Sequence, residues 1–557
     1  MVYKSLRTLN KSFRSLRLNF KYLFLITSVL FSQNIIERPY DWSGQYGTST
    51  VNSRLLWNSD WTSGPLLFDG TYTFYPQRYG EHVTSHFALL TLNRFPLNNH
   101  ETQDTSFIKS TLDYKIGDYN YDQLTLDLDY NTPKRHIGLH GFKRSYAGRR
   151  GQFFHPRGMT VPLQQSYTFD YISEKNGWLL NAAAARFVTE SGLPDTSLFN
   201  GLFEDEILTA GLLSKSPDDK LQWTSHLALF QQWRRVDVSW YSNRKSQYIN
   251  RSHWHNQLDG FEIEGVDISF GLDLNIQSVT QSDTVHRQTN WATSYTKVIW
   301  NRINVLYGGT FFDKGGSARY FSAEYSKSWK VFTINAIYSD QTKPTHIRIW
   351  EANHNDEIER FIFGVFSVNA DFKNVKTGLN YYNGVNEINN SRKGYVSTVE
   401  LYGQYDFLKT VSFKASYSFQ KGNYYLSDGI GNRVYFQLNF KKDRFFNRFD
   451  LSAKFYGEGL LNKEDSNLLS PLDGIPLEKI RSSLSLSNIW LLHFDVSATI
   501  STMTITWSVR NIFQALEPYA LKIFPNKEVG DFQVQYNSIF PPMGRIVMFN
   551  IHWTFED

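Results

Sequence analysis

Hydrophobic and polar residues alternate along most of this chain. Residues 124–130 read LTLDLDY, and the same period of two recurs, with occasional lapses, at residues 322–326, 331–338, 361–372, 396–407, 411–419 and 434–440. Because successive side chains of a β-strand point to opposite faces, each segment predicts a strand with one apolar and one polar face. Few segments show the helical period of about 3.6 residues, so the chain is predicted to be all-β.

The segment 544–555, which reads GRIVMFNIHWTF, has the strongest alternation. Its apolar residues occupy every second position: Val547, Phe549, Ile551, Trp553 and Phe555. A soluble protein would bury such a face in its core, whereas a membrane barrel would turn it to lipid with the aromatic side chains at the water interface. The position of the segment near the C-terminus favours the second interpretation, in which it closes an outer-membrane barrel.

The connections between the alternating segments have two lengths. Short joints occur at residues 175–177, 216–219, 300–302, 373–374 and 408–410. Longer polar connections occur near residues 143–163, 343–360, 384–395, 461–483 and 514–543. Short turns on one side and long loops on the other are typical of outer-membrane barrels.

The sequence contains roughly 22 to 25 candidate strands, and membrane strands of about 9–11 residues would leave ample length for loops. We therefore predict a single large antiparallel transmembrane β-barrel of about 22 strands. A β-propeller, also many-stranded, would need a repeated motif of blade length, and the sequence shows none. A soluble all-β protein remains the alternative.

The first 32 residues have the composition of a secretory signal peptide. Six lysines and arginines, with no acidic residue, precede a short apolar run at residues 22–31. That run is too short to span a bilayer as a helix. We expect cleavage before Gln33, which divides the chain into a signal peptide (1–32) and an outer-membrane barrel domain (33–557). A soluble basic tail is the alternative.

Composition removes several classes of function. The net charge is +5, but without the six basic residues of the leader it is −1, so no nucleic-acid partner is expected. The absence of cysteine excludes disulfides, thiolate chemistry and a lipid-modified N-terminal cysteine. After the leader, no apolar run reaches about 18 residues, so any membrane crossing is expected to use strands.

Two motifs near the C-terminus resemble the barrel of TonB-dependent receptors. Residues 507–513 read WSVRNIF, which is similar to the V-x-N-L-F pattern that often ends the penultimate strand of that family. A long connection follows, and the sequence PPMGR at residues 541–545 is similar to the P-x-G-R pattern before the family's final strand. The resemblance implies an outer-membrane barrel for transport or uptake.

The resemblance does not extend to the N-terminal part of the family's pattern, which is a plug domain inside the barrel, preceded by an energy-coupling box. Only about 15 residues separate Gln33 from the first strand-like segment at Thr48, so we expect no recognisable plug domain. The implied partners are a separate plug, a lipoprotein or a TonB-type protein. The barrel-insertion machinery and the lipid and lipopolysaccharide of a Gram-negative-type outer membrane are expected as well.

The densest cluster of charge lies at residues 134–157, which contain seven lysines and arginines and no acidic residue. Arginine binds carboxylate and phosphate groups bidentately. Arg144, Arg149, Arg150 and Arg157 are therefore candidates for an anion-attracting constriction of the lumen. The alternative is a solvated outer loop that touches lipopolysaccharide phosphates.

Two pairs of histidines are notable. His136 and His140 share one face of a predicted strand and would point into the lumen. His253 and His255 could also face one way, but two imidazoles make a poor metal site without a third ligand. We interpret this second pair as loop decoration, and we predict no metal and no cofactor.

The sequence has no nucleophile elbow, zinc-protease helix, phosphate-binding loop or dinucleotide fingerprint, so we predict no catalytic residues and no enzymatic activity. The leading hypothesis is an outer-membrane transport barrel that mediates solute passage or uptake. A surface-exposed binding or scaffold barrel that works with a partner protein is the alternative. A less favoured third is an outer-membrane hydrolase, whose Ser, His and Asp could come from separate strands.

The closing strand also carries a predicted assembly signal for the insertion machinery. It consists of Phe549, Ile551, Trp553 and Phe555.

Overall fold

The computed structural model describes five short N-terminal strands and residues 106–145, 163–192, 202–217, 221–237, 244–282, 284–314, 316–345, 357–388, 391–422, 432–462, 488–529, 532 and 544–557. The predicted signal peptide lies outside the described residues. No helix in the described part of the chain is long and apolar enough to cross a bilayer.

Twenty-two strands, β6 to β27, form one closed antiparallel barrel, as the alternation predicts. The strands are β6 (Phe107–Gly117), β7 (Tyr121–Thr132), β8 (Arg135–Ser145), β9 (Leu163–Lys175), β10 (Trp178–Gly192), β11 (Leu202–Lys215), β12 (Gln222–Asp237), β13 (Arg244–Ile263), β14 (Val266–Gln281), β15 (Val285–Trp300), β16 (Ile303–Phe312), β17 (Gly316–Trp329), β18 (Phe332–Pro344), β19 (Ile358–Phe372), β20 (Val375–Ile388), β21 (Ser391–Leu408), β22 (Val411–Gly422), β23 (Asn432–Phe445), β24 (Phe449–Leu461), β25 (Ile489–Ile500), β26 (Met503–Arg510) and β27 (Ile546–Glu556).

Each strand pairs with its neighbours in sequence, and the ring closes where β27 pairs with β6. At this seam Phe555 lies opposite Ser110 and Trp553 opposite Leu112. The backbone N–H of Asp557 donates to the Ile108 carbonyl at 3.0 Å, and the N–H of Ile108 donates back at 3.2 Å. Every strand therefore has two hydrogen-bonded neighbours, which is the condition for a β-sheet to cross lipid.

The two ends of the ring differ in their connections, as predicted, although four connections at the end with the long loops, after β6, β14, β16 and β20, are also short. The connections that follow odd-numbered strands from β7 to β25 are short, and we call this end of the barrel the short-turn side. Asn176 and Gly177 form one of these turns with φ values of 52° and 78°, a left-handed pair that suits Asn-Gly. The longest connections lie at the other end, the long-loop side. The ring begins in β6 and ends in β27 on the short-turn side.

One predicted long connection is wrong. Residues 384–395 were expected to be a loop, but β20 runs to Ile388 and β21 begins at Ser391, and these two residues pair directly. The strands therefore extend through polar sequence at the long-loop end, with a register shift at Asn386/Glu387.

The outer surface carries large exposed apolar side chains, whereas polar side chains are buried on the inner face. Exposed aromatic residues lie near both ends of the strands. On the short-turn side they include Trp178, Trp223, Trp300, Trp329, Phe372 and Phe407. On the long-loop side they include Tyr167, Trp233, Phe311, Phe419, Trp490 and Trp507. Two aromatic girdles that flank an apolar band are typical of a barrel in a bilayer.

The short strands β1 (Ile35–Arg38), β2 (Thr48–Val51), β3 (Arg54–Trp57), β4 (Leu67–Phe68) and β5 (Thr73–Phe74) are not members of the ring. The first three form one antiparallel sheet, and β4 pairs with β5. Thr48 does begin a strand, but that strand belongs to the separate sheet, and the ring begins at Phe107. The expectation that barrel strands start near Thr48 is therefore corrected: residues 33–106 precede the ring. The bounds of the two predicted domains stay predictions.

Candidate functional site: a histidine and carboxylate row on the inner wall

The strand β8 shows how the sequence divides between the two faces of the wall. Its residues alternate between buried and more exposed, with His136, His140 and Arg144 on the buried inner face. Leu139 points outwards and is exposed. The prediction that His136 and His140 face the lumen is therefore confirmed.

Both histidines of β8 are held by hydrogen bonds on the inner face. His136 pairs through Nε2 with Asp170 Oδ2 at 2.7 Å and through Nδ1 with Asn131 Oδ1 at 2.6 Å. His140 pairs through Nδ1 with Asp127 Oδ1 at 2.6 Å. Among the described residues, the buried Nε2 of His140 has no hydrogen-bond partner, so it keeps one hydrogen-bonding position unused within this part of the wall.

Gly138 makes room for this arrangement. A Cβ atom at this position would lie 2.5 Å from Asp170 Oδ1 and 2.7 Å from Oδ2, far inside van der Waals contact. Glycine therefore allows the Asp170 carboxylate to cross the strand surface and reach His136. On the outer face of the same strand, a Cβ at Gly141 would meet none of the described residues within 4 Å.

A second group of histidines lies on β12 and β13. His255 Nδ1 is 2.6 Å from Asp273 Oδ1, and His253 Nε2 is 3.3 Å from the same oxygen. The rings of His226 and His253 lie 6.3 Å apart and edge-on. The interpretation of His253 and His255 as loop decoration is therefore wrong: both are inside a spanning strand and face inwards, while Trp254 between them points outwards.

The two histidine groups lie on one continuous line of cross-strand neighbours. Starting on β7 and ending on β16, the directly paired residues are Asn131, His136, Ile172, Asn181, Leu213, His226, His255, Asp273, Thr293 and Thr310. We call this line the histidine row. Asp170, His253 and Asn275 belong to the adjacent inner-face line, two residues along each strand. Ten neighbouring strands thus place a mainly polar band on the inner wall.

Several side chains of the histidine row, and His253 on the adjacent line, are buried in this structure. His136 is 3% exposed, His226 4% and His253 0%. The side chains of His255 and Asp273 are partly exposed, at 19% and 15%, so the row is not covered along its whole length. Among the described residues, no group of three or more His, Asp or Glu side chains is placed to hold a metal ion. The row offers imidazole nitrogens and carboxylate oxygens as hydrogen-bond donors and acceptors.

The described basic residues of the segment 134–157 do not lie together. Lys134 lies in the turn before β8, on the short-turn side, and Arg144 lies near the opposite end of that strand. Lys143 points outwards and is exposed, whereas Arg144 is buried on the inner face with its guanidinium 6.0 Å from the Phe142 ring. A strand rises about 3.3 Å per residue, so the charges of Lys134 and Arg144 lie far apart at opposite ends of β8. Arg149, Arg150 and Arg157 lie outside the described residues, so the anion site stays a prediction.

A further inner-face group near the seam was missed from the sequence. Arg510 forms an ion pair with Asp495, and its guanidinium lies 5.5 Å from the Tyr456 ring. Lys454 Nζ is 4.4 Å from the same ring, and the ring of His493 is 5.0 Å away. The residues come from β24, β25 and β26, so only the register brings them together. The arginine of the WSVRNIF motif was the one available signal.

The closing strand has the predicted faces. Phe549, Trp553 and Phe555 are exposed on the outer surface, and the rings of Trp553 and Phe555 lie 4.4 Å apart. Ile551 is partly exposed, and Met548 is buried on the opposite face. This is the geometry of a lipid-facing terminal strand. Recognition of these side chains by insertion machinery remains a prediction.

The barrel is similar in architecture to several solved structures. It is similar to the ferric yersiniabactin uptake receptor FyuA from Yersinia pestis, with 11% identity, a TM-score of 0.60 and coverage of 93% of each chain. It is also similar to a variant of the ferric enterobactin receptor PfeA from Pseudomonas aeruginosa, with 8% identity, a TM-score of 0.61 and coverage of 82% of this chain and 81% of that one. The copper transporter OprC matches with 9% identity, a TM-score of 0.56 and the same coverage.

The chain has the fold of a TonB-dependent receptor barrel. No protein-family model matches the sequence. No curated protein matches it either. The likeness is therefore one of architecture. Together with the apolar outer band and its two aromatic girdles, it identifies a barrel of the Gram-negative outer membrane.

The WSVRNIF motif of this receptor-like barrel has a local structural reason. Asn511 follows β26 with φ 53° and ψ 70°, a left-handed conformation that asparagine tolerates. Its side chain accepts a hydrogen bond from Gln514 N and so caps the short helix α1 (Ile512–Ala515), which α2 (Glu517–Ile523) follows. The Gln514 side chain in turn accepts a hydrogen bond from Arg545 N, just before the final strand. The motif therefore ties together both ends of the last loop.

Proposed function

We propose that this protein takes up a polar solute through the barrel lumen, and that the histidine row forms part of the solute's path. The supporting observation is the continuous polar band on the inner wall, inside a ring whose outer face is apolar. Imidazole and carboxylate groups can exchange hydrogen bonds with a polar solute along such a wall. An apolar solute would gain nothing from this band.

The burial of the row favours gated uptake over a passive pore. His253 is fully buried and His136 and His226 nearly so, so a solute can reach them only after a rearrangement. A TonB-type partner is the proposed source of that rearrangement, in line with the receptor-like fold. It would act from the periplasm, which we assign to the short-turn side.

The solute is not indicated by the similar structures. Their names give ferric yersiniabactin, ferric enterobactin and copper as what those proteins handle, and these are different cargoes. At 8–11% identity no cargo transfers to this chain. The proposal is therefore limited to a polar, hydrogen-bonding solute.

Two measurements test the proposal. The purified protein in planar bilayers should give no steady single-channel current, because His136, His226 and His253 are buried at rest. Cells that carry the protein should deplete at least one polar solute from their medium, measured by mass spectrometry, and dissipation of the proton gradient should abolish this. A test variant with His255→Ala and Asp273→Ala should fold and deplete the solute more slowly.

A steady ohmic current would overturn gated uptake in favour of a passive pore. No current, no energy-dependent depletion and a stably co-purifying protein would instead support a binding or scaffold barrel. A pull-down from native membranes would identify that protein.

A further inference from the structure

A network of charged side chains lies on the outer face of the barrel, away from the histidine row. It consists of Arg319 on β17, Asp340 on β18, Arg360 on β19 and Glu387 on β20. Strand alternation shows which way the network faces, because residues an even number of positions apart on a strand share a face. Arg319 lies ten positions before the exposed Trp329, and Asp340 lies two positions after the exposed Tyr338. These charges therefore face the membrane side of the wall.

Asp340 is the centre of the network. Its Oδ2 accepts from Arg319 Nη2 at 2.5 Å and from Arg360 Nη2 at 2.8 Å, and its Oδ1 accepts from Arg360 Nε at 2.8 Å. Arg360 Nη1 also donates to Glu387 Oε2 at 3.1 Å. The Asp340 side chain is 0% exposed, whereas those of Arg319 and Arg360 are 54% and 39% exposed. The two arginines balance the charges of Asp340 and Glu387, but the guanidinium groups are the most exposed part of the network, since Glu387 is 24% exposed and Asp340 lies beneath them.

Along the barrel axis, the network lies at the level of the lipid headgroups. All four residues lie near the long-loop ends of their strands. The rings of Phe321 and Tyr338, in contact at 5.8 Å, lie one step closer to the middle of the wall. Exposed aromatic rings occupy the interface between hydrocarbon and headgroups, so arginines just beyond them reach the headgroup level. Because the long loops of such barrels face the exterior, this is the outer leaflet.

The hydrogen-bonding capacity of the network is not exhausted. Within the described residues, Arg319 uses Nη2 alone, and its other guanidinium nitrogens make no hydrogen bond. Arginine matches the geometry of a phosphate group through two parallel N–H···O bonds. A shared acceptor fixes both guanidinium groups in advance, so less side-chain entropy is lost when an anion binds.

Two further arginines also face outwards, on another part of the ring, and each of them pairs with a glutamate. Arg186 Nε donates to Glu206 Oε1 at 2.7 Å, and Arg235 pairs with Glu204 and stacks on Trp233 at 4.8 Å. Both pairs lie towards the long-loop side. On the short-turn side, β17 instead carries Lys327, whose Nζ lies 4.3 Å from the Trp329 ring.

We propose that Arg319 and Arg360, held together by Asp340, form a binding site for a phosphate group of the outer-leaflet glycolipid, lipopolysaccharide. The site sits at the height of that phosphate and offers two arginines fixed by a buried carboxylate. It is independent of the lumenal uptake proposal, because it lies on the other face of the wall.

Native mass spectrometry of the delipidated barrel in detergent tests this assignment. The barrel is titrated with lipid A that carries both phosphates, and separately with the same lipid after phosphatase treatment. We expect the phosphorylated lipid to bind and its dephosphorylated form to bind about tenfold more weakly or worse, since charge-assisted hydrogen bonds are lost. Arg319→Gln and Arg360→Gln should each weaken binding of the phosphorylated lipid by about tenfold. Each single change leaves the other arginine on Asp340.

Lys327→Gln is the matched control, because Lys327 lies on the same strand and the same outer face, at the opposite end. Its affinity for phosphorylated lipid A should equal that of the unaltered protein. Heat-modifiable migration in gels shows which variants are folded barrels, and Arg319→Lys is the second variant if Arg319→Gln fails to fold. Equal binding of both lipid forms would overturn the assignment. So would full affinity in a folded arginine variant, or an equal loss in the Lys327 control.

Discussion

His255 and Asp273 face each other across the β13–β14 pair, with 2.6 Å between Nδ1 and Oδ1. The same carboxylate oxygen lies 3.3 Å from His253 Nε2. One aspartate therefore orients two imidazoles on the inner wall, and the stability of this part of the barrel should depend on the three residues together.

We predict that Asp273→Ala lowers the free energy of unfolding by about 1–3 kcal/mol, because it leaves the buried His253 and the partly exposed His255 without their shared acceptor. Urea unfolding of the barrel in lipid vesicles measures this. His255→Gln combined with Asp273→Ala should cost less than the sum of the two single changes, since the partners share one interaction. If the double variant instead loses the full sum of the two single effects, the His255–Asp273 contact contributes no interaction energy of its own.

Gly138→Ala should be destabilising by a similar amount, about 1–3 kcal/mol, because the new methyl group would displace Asp170 and break its bond to His136. The same unfolding measurement applies. Gly141→Ala, on the same strand but facing open space, is the control and should change stability by less than about 0.5 kcal/mol. If both variants unfold alike, steric access of Asp170 is not the reason for glycine at position 138.

Arg144→Gln should shift the reversal potential of the barrel towards cations, most strongly at low salt, where screening is weak. The recording uses channels opened by urea below the concentration that unfolds the barrel. Lys143→Gln removes the same charge from the outward-facing neighbour and should leave the reversal potential unchanged. Adding Arg149→Gln, Arg150→Gln and Arg157→Gln separates the two earlier hypotheses: a further shift favours a lumenal cluster, and none favours an exterior loop.

Trp553→Ala together with Phe555→Ala should reduce the amount of folded barrel at the cell surface and leave unfolded chains in the periplasm. Surface labelling and cell fractionation measure the two pools. The control is Trp300→Ala with Trp329→Ala, which removes two exposed aromatic residues on the same short-turn side but away from the closing strand. Normal surface levels of the Trp553 and Phe555 variant would contradict the assembly signal.

The ring and its strand number were predictable because lipid and lumen impose opposite polarities on alternate residues. Residues 124–130 show this contrast, and β7 lies where the pattern places it. The prediction failed where both faces are polar. Around His253 the flanking residues are polar too, so a spanning strand looked like a loop. Residues 384–395 were misassigned for the same reason, since β20 and β21 continue through polar sequence at the long-loop end.

The candidate site was less accessible from the sequence than the fold. A period of two assigns His136 to a face, but it does not say which residue lies beside it on the next strand. The Asp170–His136 bond joins residues 34 positions apart, and the Arg360–Asp340 pair depends equally on register. In a barrel, one residue of register shift would move each of these side chains to the opposite face.

The seam between β6 and β27 has a consequence for biogenesis. Val547 N donates to the Asp118 side chain across 429 residues of sequence, so the last strand pairs with the first. Until that contact forms, the sheet has two open edges, each with unpaired backbone groups that could join another chain. Hairpins between sequence neighbours can form early, but closure has the longest loop in the molecule to overcome and should be slow. A chaperone that protects those edges would therefore matter most during the interval before closure.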